Sequence, residues 1–310
     1  MKTKQIPASK IILFANPSFS TPVLEKLIHS PLTNLCGLVT NYNSPLRAQA
    51  QQYQIPEFSL AEIKKQIQEK SLVADLFVVA AYGKILPSNL IYYPPLGTLN
   101  IHPSLLPQLR GPSPVQSAII QGYRKTGVSI IEMDEELDHG PIAAQTEYQL
   151  EGNETAPQLS QILFELGAEL LLDLLPHWKK FKEKGLKQTA MILTPKRGKI
   201  FLPPQEQKEE EVTWSKKFSR RDGKIDWKQP HEMIYRQIRA FLPWPGSWTT
   251  LSDLIKGLAL NKSLKKEINP QKKVKLIKVR YEDGVLIPEK IQVEGKRIIN
   301  WGDFVNGYLE

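Results

Sequence analysis

Short apolar runs and helix-spaced apolar positions alternate along the first half of the chain. Lys10-Ile-Ile-Leu-Phe-Ala15 is a short continuous apolar run, and after Pro17 and Pro22 the positions Val23, Leu24, Leu27 and Ile28 recur at helical spacing. Further runs at Leu35 to Thr40, Ala74 to Ala80 and Thr98 to His102 read as strands, with helical stretches near Leu60 to Ile67 and Pro114 to Gly122. Runs apolar on both faces and separated by helices predict a parallel sheet covered on both sides, an α/β Rossmann-like layer. Gly127 to Met133 and Ile142 to Leu150 predict two later strands. Thr155-Ala-Pro-Gln158 reads as a capping box with proline in the first turn, and Leu159, Ile162, Leu163, Leu166, Leu170 and Leu174 continue it as one apolar stripe.

From Lys179 to about Pro204 this pattern breaks into Lys, Gly, Thr and Pro, with Lys179, Lys180, Lys182, Lys184, Lys187, Lys196, Arg197 and Lys199, and reads as a basic linker. Beyond it Pro230 opens a short helix with Ile234, Ile238 and Phe241 on one face, which Pro243-Trp-Pro-Gly246 stops. Val274 to Tyr281 and Val285 to Ile299 read as β segments separated by Glu-Asp-Gly and Glu-Gly turns. The expected division is therefore a domain over 1–178, a linker over 179–204 and a mainly β domain over 205–310.

Composition supports two globular domains: 310 residues, 41% hydrophobic and 24% charged. The longest apolar run, near Leu76 to Tyr82, is far short of the ~20 residues a membrane helix needs, so neither anchor nor signal peptide is expected. Cys36 is the only cysteine, which excludes an intrachain disulfide and a cysteine zinc cluster and fits a reducing cytoplasm. The net charge of +9 divides unevenly. Residues 1–178 carry 12 Lys and Arg against 16 Asp and Glu, a net −4, whereas 179–310 carry 29 against 16, a net +13. One half suited to chemistry and one suited to a polyanion is one reading; a lysine-rich tail that aids solubility is the other.

The chain lacks a Gly-x-Gly-x-x-Gly after a strand, a Walker loop and a histidine pair at metal spacing, so dinucleotide, P-loop and metal chemistry are not expected. His102 ends an apolar strand with Asn100 two residues before it, on the same side. Ligands of open α/β sheets bind beyond the carboxyl ends of strands, so the two would face one cleft. Asp138 lies in the turn Met133-Asp-Glu-Glu-Leu-Asp-His-Gly140, from which a carboxylate could reach that cleft. Amide, imidazole and carboxylate together suit acyl transfer to an amine, with two oxyanion donors and a group that orients the imidazole and accepts a proton. A histidine satisfying a strand end and an aspartate shaping a turn remain the alternative on spacing alone.

Several blocks in order resemble the folate-dependent formyltransferases: Asn100-Ile-His-Pro-Ser-Leu-Leu-Pro107, Arg110-Gly-Pro-Ser-Pro-Val-Gln116, Thr126-Gly-Val-Ser-Ile and Met133-Asp-x-x-Leu-Asp-x-Gly-Pro141. The resemblance implies formyl transfer from 10-formyltetrahydrofolate by Asn100, His102 and Asp138. It implies folate contacts at Ser104, Leu105, Leu106 and Pro107, with Tyr82 and Gly83 of the Ala81–Pro87 loop alongside. Lys224-Ile-Asp-Trp227, Ile238 to Trp248, Val293-Glu-Gly-Lys296, Trp301 and Phe304 are similar to the methionyl-tRNA formyltransferases within that family. This implies initiator methionyl-tRNA as acceptor and a C-terminal OB-like β barrel that contacts tRNA, with Trp244 and Trp248 expected in the barrel core.

Two departures stand out. Phe14-Ala-Asn-Pro17 lacks the glycine usual after the first strand, and the basic loop after the second strand is shortened to Thr40-Asn-Tyr-Asn-Ser-Pro-Leu-Arg-Ala48, with Arg47 its one cation. The tRNA contacts expected in compensation are Arg47, Lys196, Arg197 and Lys199, then Lys272, Lys273 and Lys275. A monomer without a metal is expected. The rival readings are a sugar-nucleotide N-formyltransferase and a non-catalytic folate- or RNA-binding homologue.

Overall fold

The computed structural model describes residues 8–16, 18–41, 44–184, 190–193 and 198–310. The chain forms two compact units, one of residues up to 114, 125–150 and 158–215, the other of 115–124, 151–157 and 216–310.

Among the described residues the first unit holds a nine-stranded sheet. Its strands are β1 (Ser9–Ala15), β2 (Thr33–Val39), β3 (Glu57–Phe58), β4 (Leu76–Ala80), β5 (Thr98–His102), β6 (Lys125–Glu132), β7 (Ile142–Gln149), β8 (Ala190–Leu193) and β9 (Lys199–Gln205). They lie in the order β3-β2-β1-β4-β5-β6-β7-β9-β8. The first five are parallel and the last four antiparallel. The order reverses between β1 and β4, the kind of switch point beside which open sheets bind ligands. The parallel strands are apolar throughout because both faces are covered: every residue of β4 and all of Ile11 to Ala15 are buried.

The helix Ala156–Lys184 begins directly after Thr155 and buries Leu159, Leu163, Leu170, Leu171, Leu174 and Trp178. Gly167 lets it pack close to the sheet, since a Cβ there would come within 2.5 Å of the Ile101 side chain on β5. Trp178 is fully buried and its indole N–H donates to the Leu96 carbonyl at 2.8 Å.

The stretch read as a linker is mostly regular structure. Lys179, Lys180, Lys182 and Lys184 extend the helix, and β8 and β9 add to the sheet beyond β7. Density of lysine and proline misleads here because Ile200, Phe201 and Leu202 between them are buried, Ile200 pairing with both β7 and β8 and Phe201 and Leu202 with β8. Lys187, Lys196 and Arg197 lie outside the described residues.

The second unit contains a four-stranded antiparallel sheet of β10 (Ser247–Thr250), β11 (Lys273–Glu282), β12 (Val285–Val293) and β13 (Ile298–Asn300), in that order. This is the form in which the expected OB-like domain occurs, with isolated bridges between Lys224 and Trp248 and between Leu264 and Leu309. Its core gathers Ile234, Ile238, Leu251, Leu254, Val274, Leu276, Ile291, Val293 and Phe304. Neither Trp244 nor Trp248 belongs to it, contrary to expectation. Strand parity is the reason for Trp248, which alternates with buried Ser247 and Thr249, while Trp244 stands in the loop before β10 with 52% of its surface exposed. No helix among the described residues is long and apolar enough to cross a membrane.

Candidate active site

Asn100 and His102 project from the carboxyl end of β5 on one side, as their two-residue spacing requires. The Asp138 carboxylate meets both. Its Oδ1 accepts from Asn100 Nδ2 at 3.3 Å and lies 3.5 Å from His102 Nδ1, while Oδ2 accepts from the Gly111 N–H at 2.8 Å. The opposite nitrogen of His102, Nε2, is 3.1 Å from the Leu109 carbonyl, an acceptor only, so that nitrogen carries a proton and Nδ1 is the one turned to Asp138.

The electrostatics follow. The His102 side chain is 5% exposed and that of Asp138 10%. Burial alone disfavours the imidazolium, but the Asp138 carboxylate and the Leu109 carbonyl outweigh it and hold the His102 pKa above the ordinary histidine value. Burial likewise disfavours the carboxylate, yet His102, the Gly111 N–H and the Arg110 guanidinium together hold Asp138 below the ordinary aspartate range. Each partner thus favours the charged form of the other. Leu109 and Asp138 both occupy the left-handed backbone region, φ 61° and 52°, where non-glycine residues are strained, and such strain clusters at functional sites.

Three residues that sequence reasoning missed brace the Asp138 turn and the Ser104–Leu106 segment beside it. Gln207 donates from Nε2 to the Asp138 and Gly140 carbonyls at 2.8 and 2.9 Å, and its Oε1 accepts from Arg110 Nε at 2.9 Å. Buried Arg110 in turn pairs with Glu209 at 2.8 Å. Ser129 Oγ donates to the Ser104 carbonyl at 2.8 Å and accepts from the Leu106 N–H at 2.9 Å, and Gln145 Nε2 donates to the Leu106 carbonyl at 2.9 Å. A signal for Ser129 existed, a polar residue inside an apolar strand. Gln207 had none, since it lies 69 residues from Asp138.

Of the expected folate contacts, Ser104 and Leu106 are buried and their main chain is engaged by Ser129 and Gln145, whereas Leu105 and Pro107 are partly exposed. The Tyr82 ring is core, 2% exposed and edge-on to Phe14 at 5.5 Å. Gly83 is exposed with φ 74°, a conformation glycine adopts freely. Asn16, in place of the usual glycine, uses its side-chain oxygen to accept from the Asn41 N–H at 3.1 Å, tying the end of β1 to the loop after β2.

The expected tRNA contacts are scattered. Arg47 is ion-paired to Glu57 at 2.7 Å. Lys199 is exposed on β9, Lys272 is partly buried before β11, and Lys273 and Lys275 are exposed on β11. Among the described residues no three His, Cys, Asp or Glu side chains converge as a metal would require.

An amide, an imidazole and a carboxylate gathered at the end of β5 on a Rossmann-like sheet suit transfer of an acyl group to an amine. The formyl transferase model matches residues 10–175 and the model for the formyl transferase C-terminal domain matches 217–309. The chain belongs to the formyl transferase family. It is 35% identical over 257 residues to a methionyl-tRNA formyltransferase of Bacillus thuringiensis subsp. konkukian, covering 78% of this chain and 76% of that one, and matches a Bacillus cereus methionyl-tRNA formyltransferase equally well. The fold is shared with HypX from Aquifex aeolicus in complex with tetrahydrofolic acid, at TM-score 0.58, 17% identity and 97% of this chain against 48% of that one.

Proposed function

We propose that this chain transfers the formyl group of 10-formyltetrahydrofolate to the α-amine of methionine esterified to initiator tRNA, acting in the cytoplasm as a monomer. The observation that carries the reading is the convergence of Asn100, His102 and Asp138 at the end of β5, with distances of 3.3 and 3.5 Å to one carboxylate oxygen. The acceptor rests on the 35% identity to methionyl-tRNA formyltransferases; the folate donor is supported by the tetrahydrofolic acid held in HypX, a protein of the same fold.

In this mechanism the amine nitrogen attacks the formyl carbon and the carbonyl electrons move onto oxygen. The second amide hydrogen of Asn100 and the His102 side chain that Asp138 orients stabilise that oxyanion. Asp138 holds His102 in place and accepts the ammonium proton, directly or through water. Collapse breaks the bond between carbon and the folate N10, which takes up the proton as tetrahydrofolate leaves. The Ser104–Pro107 turn, fixed by Ser129 and Gln145, offers the side chains of Leu105 and Pro107 as apolar walls for a flat pterin.

A formylation assay with purified chain, charged initiator tRNA and 10-formyltetrahydrofolate tests this. Product formylmethionyl-tRNA is expected. Formylation of an amino-sugar nucleotide in preference to methionyl-tRNA would replace the acceptor, and no turnover with either would end the enzymatic reading.

A further inference from the structure

We propose that the outer face of the C-terminal sheet holds one unpaired nucleotide of an RNA strand, its base against Trp244 and its phosphates among Arg220, Arg221 and Lys275. The inference rests on the tRNA acceptor proposed above and goes beyond it, because it assigns a base-stacking subsite where phosphate contacts alone were expected.

Strand pairing builds the floor. Trp248 is the register neighbour of Lys275, and Lys275 that of Gln292, so three side chains from β10, β11 and β12 stand in one row. Lys273, two residues from Lys275, shares their face, and its Nζ lies 4.7 Å from the Trp248 ring centre. The rim is a turn locked by Asp222, which accepts from the Ser219 N–H and hydroxyl at 2.8 and 2.7 Å and pairs with Lys216, bringing its carboxyl down to about 2. That turn leaves Arg220 and Arg221 exposed, and the Arg220 carbonyl accepts from the Trp248 indole N–H at 3.2 Å. Gly223 brings the turn onto the Pro243–Gly246 loop, since any Cβ there would collide with the Gly246 carbonyl.

The concavity so formed has a volume of about 670 Å³ and is lined by Arg220, Arg221, Trp244, Trp248, Lys273 and Lys275 among others. Among the described residues no carboxylate lies within ion-pairing distance of its four cations, and Glu294 is its one acidic lining residue. Single exposed lysines are usually just solvated. A half-exposed indole beside four unpaired cations in one hollow is a different case, because the ligand that satisfies both is a planar aromatic ring carrying phosphate. Four cations exceed what one phosphate engages, and the +13 of residues 179–310 extends the attraction, which favours a strand over a free nucleotide. A base paired within a duplex has no face to offer, so the nucleotide is unpaired.

The test uses the full chain and three probes: a labelled single-stranded oligouridylate, a duplex RNA of equal length, and adenosine monophosphate, each titrated over a range of salt. The single strand should bind best. Trp244→Ala should weaken it roughly 5- to 150-fold without changing the salt slope, the range for losing one stacked base. Trp244→Phe should restore most of the loss. Arg221→Ala and Lys275→Ala should each flatten the slope by about 0.7. If Trp244→Ala melts below wild type, the charge variants and quenching of tryptophan fluorescence by the oligomer decide instead. Unchanged single-strand affinity in Trp244→Ala, unchanged slopes in both charge variants, or adenosine monophosphate binding as tightly as the oligomer would overturn the proposal. RNA binding that depends on Trp244 with no formylation of methionyl-tRNA would sink the acceptor reading alone; formylation with Trp244-independent RNA binding would sink only this one.

Discussion

At the end of β5 His102 and Asp138 are withdrawn from water, Asn100 is half-buried and each is held by a partner, whereas Lys273 and Lys275 of β11 stand exposed without an ion pair among the described residues. Both regions handle charge, and they do so in opposite ways. Stabilising an oxyanion requires donors fixed in place before charge appears, in surroundings that do not screen them. Holding a polyanion requires many accessible charges that give up counterions, and no single one must be placed finely. On this reading it is consistent that Gln207 fastens the Asp138 turn and Ser129 and Gln145 the neighbouring Ser104–Leu106 segment, while the charged ends of Lys273 and Lys275 have no ion-pair partner among the described residues.

The sharpest way to break this comparison is at the first region. Asp138→Asn should lower kcat by about 100- to 10,000-fold, the range for a positioned proton-transfer group, with little change in tRNA affinity. The same substitution should lower the His102 pKa, followed by NMR of the imidazole C–H signals, because burial then meets less opposition. In wild type the sign of linkage is definite. His102, raised in the fold, contributes stability below its unfolded pKa of about 6.5 and loses it as pH rises through the folded value. Asp138, lowered in the fold, contributes above its unfolded pKa of about 3.9 and loses it as pH falls through the folded value. A His102 signal that titrates alike in both proteins would contradict the pairing.

Next in size, Asn100→Ala should cost about 100- to 1000-fold in kcat, as losing one oxyanion donor does. Near-normal turnover would remove Asn100 from the mechanism. Gln207→Ala should act on the same step less strongly. It breaks two hydrogen bonds that hold the Asp138 turn, each worth about 1 kcal/mol, so kcat should fall roughly 5- to 30-fold with the KM for methionyl-tRNA unchanged. Gln207→Glu should not rescue it, because a carboxylate cannot donate to the two carbonyls. A change in KM alone would make Gln207 part of acceptor binding.

The smallest expected effect belongs to Arg47. Its guanidinium is already paired with Glu57, so Arg47→Ala should change tRNA affinity less than about twofold, measured by filter binding at several salt concentrations. A tenfold loss would restore Arg47 as an acceptor-end contact and blur the line between the two regions.

How much was legible divides along the same line. The buried strands around Ile11 to Ala15 and Leu76 to Ala80 were readable because an apolar run with no polar face has few other places to go. Asn100 and His102 were readable as a pair, since strand periodicity puts alternate residues on one side whatever the rest of the chain does. The strand β9 was not, because buried Ile200 to Leu202 are outnumbered locally by lysines and prolines and become a strand only by pairing between β7 and β8. Trp244 and Trp248 were misplaced for a related reason. An aromatic residue is apolar enough for a core, and only the parity of β10 and the path of the Pro243–Gly246 loop decide which side it takes.

Sequence by itself determined the layered α/β order of the first half, the division of charge between the halves, and the residue types available for catalysis, because periodicity, composition and side-chain chemistry are local properties. Tertiary structure alone decided that Asp138 reaches both Asn100 and His102, that Gln207 fastens the Asp138 turn from 69 residues away, and that the tryptophans face outward among arginines and lysines. Those outcomes depend on which strands pair and in what register. Pairing joins residues far apart in the chain, and no local pattern carries that information.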